Sequence, residues 1–203
     1  EKKIAIAKSA HPAVDFRIMS AEQLEFNDAQ FDEIYALDIY EHVDDLQQTL
    51  RETARVLKQN GRLIVNVPAA KSEEWLLKIR PTYHEEIHHV RIFRGDELQQ
   101  AVEQQGLKML KKQNRDFSDH LILYYMFVST GNSSTQLGIG DWRNTWTGRI
   151  LFAAHAFTKP NLVFTSPLKF IPIWLITIPI GQAVNYFGNK VFPKSVMYEF
   201  IKP

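Results

Sequence analysis

The stretch Phe31–Asp45, FDEIYALDIYEHVDD, decides the reading of the chain. Its first half, through Ile34, Tyr35, Ala36 and Leu37, is an almost unbroken apolar run. Such a run suits a parallel β-strand covered on both faces. Asp38, Glu41 and His42 follow where that strand ends, and Asp44 or Asp45 can cap the helix behind them. In an open α/β sheet, ligands bind outside the carboxyl ends of the strands. These polar side chains therefore stand at the mouth of a candidate site, although a polar βα turn without function has the same composition.

Downstream, Leu46, Leu50, Ala54 and Leu57 recur at helical spacing, with Gly61 expected as the stop. Leu63–Val67, LIVNV, reads as a buried strand closed by Pro68. Asp96 is expected to cap the helix DELQQAVEQQ, which Gly106 ends, and Leu107–Arg115 can form a further strand. Upstream, Ile4, Ala7 and Ala10 share a helix face that His11-Pro12 terminates. Val14, Phe16 and Ile18 alternate with Asp15 and Arg17 and predict a strand, followed by the turn SAEQLEF, Ser20–Phe26. Val196–Ile201, VMYEFI, alternates and predicts a last, antiparallel strand. The fold class expected is α/β, with a core at 1–115, a hydrophobic insertion at 116–195 and the returning strand at 196–203.

Composition adds exclusions. The 203 residues, 45% of them hydrophobic, can bury a real core. No cysteine is present, which excludes disulfides, thiolate metal sites and cysteine nucleophiles. No apolar leader follows Glu1–Lys3, so a cytoplasmic location is expected. The net charge is +1 but uneven: residues 1–141 hold 22 of the 23 acidic residues, and 142–198 hold six basic residues and no acid. Arg143, Arg149, Lys159, Lys169, Lys190 and Lys194 there flank apolar aromatic stretches, the densest being FIPIWLITIPI, Phe170–Ile180. That stretch is too short to span a bilayer. The pattern suits a peripheral contact through 142–194 with an anionic inner membrane face or a lipid-like acceptor, and equally a hydrophobic lid or interface. Nothing in it suggests a nucleic-acid partner, and oligomeric state is open.

FDEIYALDIYEHVDD, followed by RVLKQNGRLIVNVP and then HHVRIF before a capped helix, resembles the class I S-adenosylmethionine-dependent methyltransferases that act on small molecules. The likeness covers roughly residues 1–115 and returns at the last strand. It implies a Rossmann-like doubly wound sheet, the cofactor S-adenosylmethionine and methyl transfer to a small acceptor, one of apolar or lipid-like character given the C-terminal segment. It also implies that Ser20, Ala21 and Glu22 hold the adenine, with Ser20 standing where an aspartate is usual. Ala36, Leu37, Asp38 and Tyr40 would line the cofactor pocket. The family's first strand, its G-x-G-x-G turn and the acid ending its second strand are not found in residues 1–30. The sheet is therefore expected to be incomplete at its N-terminal side, with those parts upstream of Glu1. Gly138 and Gly140 in LGIGDW offer only G-x-G in a polar loop. A non-catalytic methyltransferase-like binding or scaffold module is the rival reading, and a glycine-rich turn upstream of Glu1 separates the two.

His84–His88, HEEIH, matches H-E-x-x-H, the pattern in which two histidines one helical turn apart ligate zinc beside a glutamate base. Pro81 just before it and the extended VRIF after it argue against the long helix such a site needs, so no metal is expected and a zinc hydrolase is the remote alternative. A solvated surface is the plain reading of these histidines. The family resemblance instead makes this segment the roof of the acceptor site, with Tyr83, His84, His88, His89 and Arg91 facing the substrate. Transfer of a methyl from a sulfonium needs alignment and, for an acidic hydroxyl, a nearby base. His42 is the first candidate, with His84, His88 and His89 as rivals. A backbone hydrogen bond at the turn is the alternative role for His42.

Overall fold

The computed structural model describes residues 2–117 and 182–203. In chain order the elements are α1 (Lys2–Ala10), β1 (Phe31–Leu37), α2 (Leu46–Val56), β2 (Leu57–Pro68), α3 (Ala70–Ile79), α4 (Tyr83–Ile87), α5 (Glu97–Glu103), β3 (Lys108–Arg115), α6 (182–191) and β4 (Ser195–Ile201). The strands form one sheet in the order β1-β2-β4-β3. β1 lies parallel to β2, with α2 as the crossover, and β4 enters antiparallel between β2 and β3. The returning strand expected at 196–201 is therefore real, and β3 and β4 are neighbours although 116–194 separate them in sequence.

One face of the sheet carries the core. Leu63, Val65 and Val67 alternate along β2 and are buried, as are Tyr198 and Phe200 on β4; α2 and α5 cover them with Leu50, Ala54, Leu98 and Val102. The expected two-sided cover of β1 is not seen among the described residues. Ala36 turns into the core, but Tyr35 and Leu37 on the other face are 61% and 53% exposed.

Three boundaries differ from expectation. α2 is capped by Asp45, whose Oδ1 accepts the Gln48 N–H at 2.9 Å, but it ends at Val56 rather than near Gly61. The chain turns at once into β2, and Asn60, at φ 60°, takes the left-handed position, its N–H donating to Lys202 O at 2.7 Å. Gly61 serves a close approach instead: a Cβ there would meet Leu57 Cδ1 and Lys58 O at 2.8 Å. Asp96 precedes α5 without a side-chain cap bond, because its Oδ1 accepts from Lys112 Nζ at 2.9 Å. Finally, 14–18 form no strand. A strand exists by pairing, no described strand runs beside this segment, and Val14 and Ile18 stand in solvent.

The segments HLILYYMFV, STGNSSTQLGIG and FIPIWLITIPI lie outside the described residues, as does most of 142–194.

Candidate active site

The carboxyl ends of β1 and β2 open on a cavity of about 580 Å³. Asp38 forms its lip. It closes β1 in the left-handed region, φ 53°, which aspartate tolerates better than most residues. Two bonds to β2 hold it there: Asp38 N–H to Asn66 O at 3.0 Å, and Asn66 Nδ2 to Asp38 Oδ1 at 2.9 Å. A non-glycine residue so placed stores about 1–3 kcal/mol, a cost met most often at functional sites.

Behind the lip stand two buried carboxylates. Glu41 is 1% exposed and neither of its oxygens has a hydrogen-bond partner. Burial pushes its carboxyl up to about 7; Asp38 and Glu73 add to the rise, while its own backbone amide and His89 oppose it. Glu73, on the inner face of α3, is 3% exposed, and its Oε2 receives His84 Nε2 at 2.8 Å and His89 Nδ1 at 2.7 Å. His42 completes the group. Its Nδ1 is 2.8 Å from His88 O, which makes Nδ1 the protonated nitrogen and leaves the lone pair on Nε2. Its ring meets that of His89 edge to face at 4.7 Å between centroids.

α4 explains why the histidines fall as they do. It is a single turn, ended by His88 in the left-handed conformation at φ 60°. The zinc-helix geometry of HEEIH is therefore not formed. His84 points back at Glu73, His88 is exposed, and the kink carries His89 inward. Tyr83 is buried and lines the cavity with His88 and His89; burial holds its phenol well above the ordinary range.

Other expected site residues land elsewhere. Tyr40 is a core residue, 1% exposed, its hydroxyl donating to Thr53 Oγ1 at 3.2 Å and its phenol pushed by burial up to about 12. It does not line the cavity. Arg91 does not line this cavity; its guanidinium clamps the turn after β1, donating to Tyr40 O at 2.7 Å and Asp44 O at 2.9 Å. Glu22 is tied to the start of α2: Oε1 accepts the Asp45 N–H at 2.9 Å, and its backbone oxygen accepts from Gln48 Nε2. The Ser20 hydroxyl accepts the Glu22 N–H at 3.2 Å, so Ser20, Ala21 and Glu22 form a short turn against α2.

Sequence reasoning missed Glu73, Asn66, Ser72, Asp116, Lys194 and Ser195, all of which line the cavity. Glu73 had a signal: with Ser72 and Leu76 it occupies the inward face of α3, an unusual place for an acid. The last three had none, because they come together only when β4 inserts beside β2.

Residues 1–65 match the family described as "Methyltransferase domain". Over 98 residues the chain is 29% identical to the O-methyltransferase resE of Aspergillus sclerotiorum, a match that covers 48% of this chain and 37% of that protein. The chain thus spans well under half the length of this curated relative. Among solved structures it is similar to the [4+2]-cyclase SpnF, with TM-score 0.53 and 17% identity over 100% of this chain and 64% of that one. It is similar also to geranyl diphosphate methyltransferase in complex with SAM, with TM-score 0.52 and 13% identity over 99% and 62%. The fold is the Rossmann-like fold of the class I methyltransferases, and residues 1–65 are similar to a methyltransferase domain.

Proposed function

We propose that the complete protein transfers a methyl group from S-adenosylmethionine to a small acceptor seated in the cavity at the ends of β1 and β2. The observation that carries this reading is the position of the cavity: it opens where the strands end, and a histidine with a free lone pair lines it in a methyltransferase fold. S-adenosylmethionine supplies an electrophilic methyl on a positively charged sulfur. The residues fit that group. Glu22 Oε2 has no hydrogen-bond partner among the described residues and can accept from an adenine amine, and the exposed Leu37 side chain offers an apolar surface at the end of β1. Asp38, held by Asn66, supplies negative charge at the carboxyl end of β1. His42 Nε2 is the group assigned to take the acceptor's proton, and Tyr83, His88 and His89 form the acceptor side.

Titrating S-adenosylmethionine into the full protein tests this. Glu22→Ala removes the proposed hydrogen bond from the adenine amine to a charged group, worth roughly 1.5–3 kcal/mol, along with the tie to Asp45 N–H, and should weaken binding about 10- to 150-fold. Equal affinities remove Glu22 from the adenine role, and no binding by the wild type removes the function.

The acceptor class we propose is apolar or lipid-like, met by a cytoplasmic protein that touches the inner membrane face through 142–194. Its support is the acid-free charge of that segment and the surface of α6, where Val184, Tyr186, Phe187 and Val191 are exposed beside Lys190. No helix among the described residues is long and apolar enough to cross a membrane. Each basic residue near an anionic leaflet contributes about 1 kcal/mol within a Debye length of about 8–10 Å. The full protein should therefore sediment with anionic vesicles at low salt and release at high salt. If it ignores them while folded, the segment is a lid or an interface.

A further inference from the structure

The clustering of histidine and buried carboxylate behind Asp38 exceeds what a proton acceptor requires. Glu73, His84 and His89 converge from three places in the chain and offer one ligand atom each within 4.8 Å of one another, with His84 Nε2 and His89 Nδ1 both bonded to Glu73 Oε2. Two of the separations are 2.8 and 2.7 Å. For metal bonds of about 2.1 Å, neighbouring ligands stand about 3.0 Å apart in an octahedron and about 3.4 Å apart in a tetrahedron. The observed edges sit nearer the octahedral value and need to open by only a few tenths of an ångström. Two imidazoles and one carboxylate, with open positions, is the donor set of mononuclear first-row sites.

A second observation points the same way. Glu41 is buried in the wall of the same cavity with both oxygens unpartnered, and one of them lies within 4.8 Å of a His89 ring nitrogen. Two buried carboxylates thus stand beside histidines in a cavity whose other basic lining residue is the exposed Lys194, and a bound cation would balance their charge.

We propose that Glu73, His84 and His89 bind one divalent ion of the manganese, iron or cobalt kind, with Glu41 supplying further negative charge and the open coordination positions facing the cavity. This set differs from the HEEIH pattern, which pairs His84 with His88. Where it rests on the methyltransferase reading, it names the acceptor as a molecule with oxygens able to reach the ion.

The experiment is titration of Co²⁺ into the full protein after treatment with a chelator, read by the visible absorption of the bound ion and by calorimetry. One ion per chain is expected. Glu73→Gln and His89→Ala should each weaken it at least tenfold, whereas the exposed His11→Ala should not. Absence of saturable binding by the folded wild type overturns the site, as does equal binding by Glu73→Gln, which keeps the side chain's shape. S-adenosylmethionine titrated with the chelator present separates the two ideas. Binding of S-adenosylmethionine by a protein that takes up no Co²⁺ overturns the ion alone. Uptake of Co²⁺ by a protein that binds no S-adenosylmethionine supports the ion and overturns the methyltransferase reading.

Discussion

His42→Ala should lower methyl transfer about 100-fold or more while leaving S-adenosylmethionine affinity nearly unchanged, as measured by turnover and calorimetry on the full protein. The expectation follows from the ring's bonding. His88 O holds Nδ1 at 2.8 Å, so the proton belongs there and Nε2 keeps its lone pair. The ring is exposed on the cavity wall and braced against His89, which fixes its direction without burying it. Glu41, one residue earlier, is the competing base, because burial lifts it to about 7. It is enclosed, however, and an acceptor must reach the proton-taking atom within hydrogen-bond distance. The His88 contact also gives His42 a structural role, since it ties the turn after β1 to the end of α4. If that role is the whole of it, His42→Ala lowers Tm and leaves turnover per folded molecule intact.

How much of this was legible in the sequence depended on whether the signal was local. β1, α2 and β2 could be read from Phe31–Pro68 because strand, cap and helix follow one another with their own punctuation. β4 could be read from six alternating residues. The strand expected at Val14–Ile18 shows the limit: alternation states that a face exists, but pairing needs a neighbour, and none of the described strands provides one. Gly61 shows another. Glycine is a common helix stop, yet here its small size admits Leu57 and Lys58 O, and Asn60 makes the turn.

The site was harder to read than the fold. EHV follows β1 and puts His42 at the cavity, whereas the family resemblance suggested Tyr40 as a residue lining the cofactor pocket. Along the turn after β1, Tyr40 points into the core toward Thr53 and only Asp38, Glu41 and His42 border the cavity. HEEIH was misleading as a motif and informative as a composition. With a left-handed residue at His88, the histidines that come together are His84 and His89 and not the motif's His84 and His88, and their common partner, Glu73, comes from a different helix. No spacing rule within one segment contains that convergence.

The largest effect on stability is expected at Phe200, in the strand that closes the sheet. Its side chain is 0% exposed, opposite Leu63 on β2 and Met109 on β3, with the Tyr198 ring stacked at 5.9 Å. Its cross-strand neighbours sit in paired strands and α2 and α5 cover it from one side, so the surroundings can collapse little around a deleted ring, and the cavity term adds to the transfer term. Phe200→Ala should therefore cost about 3–5 kcal/mol, a large share of the roughly 5–15 kcal/mol that holds a typical domain together. Tyr35→Ala is the matched comparison. That ring is also aromatic and also on a strand, but it is 61% exposed on the open face, where substitutions usually stay within about 0.5 kcal/mol. Denaturant unfolding of the two variants in the full protein reads the difference directly. A large loss at Tyr35 would mean that the open face of β1 is covered in the full protein. A small loss at Phe200 would mean that β4 does not close the sheet between β2 and β3, and the cavity wall built from Lys194 and Ser195 would go with it.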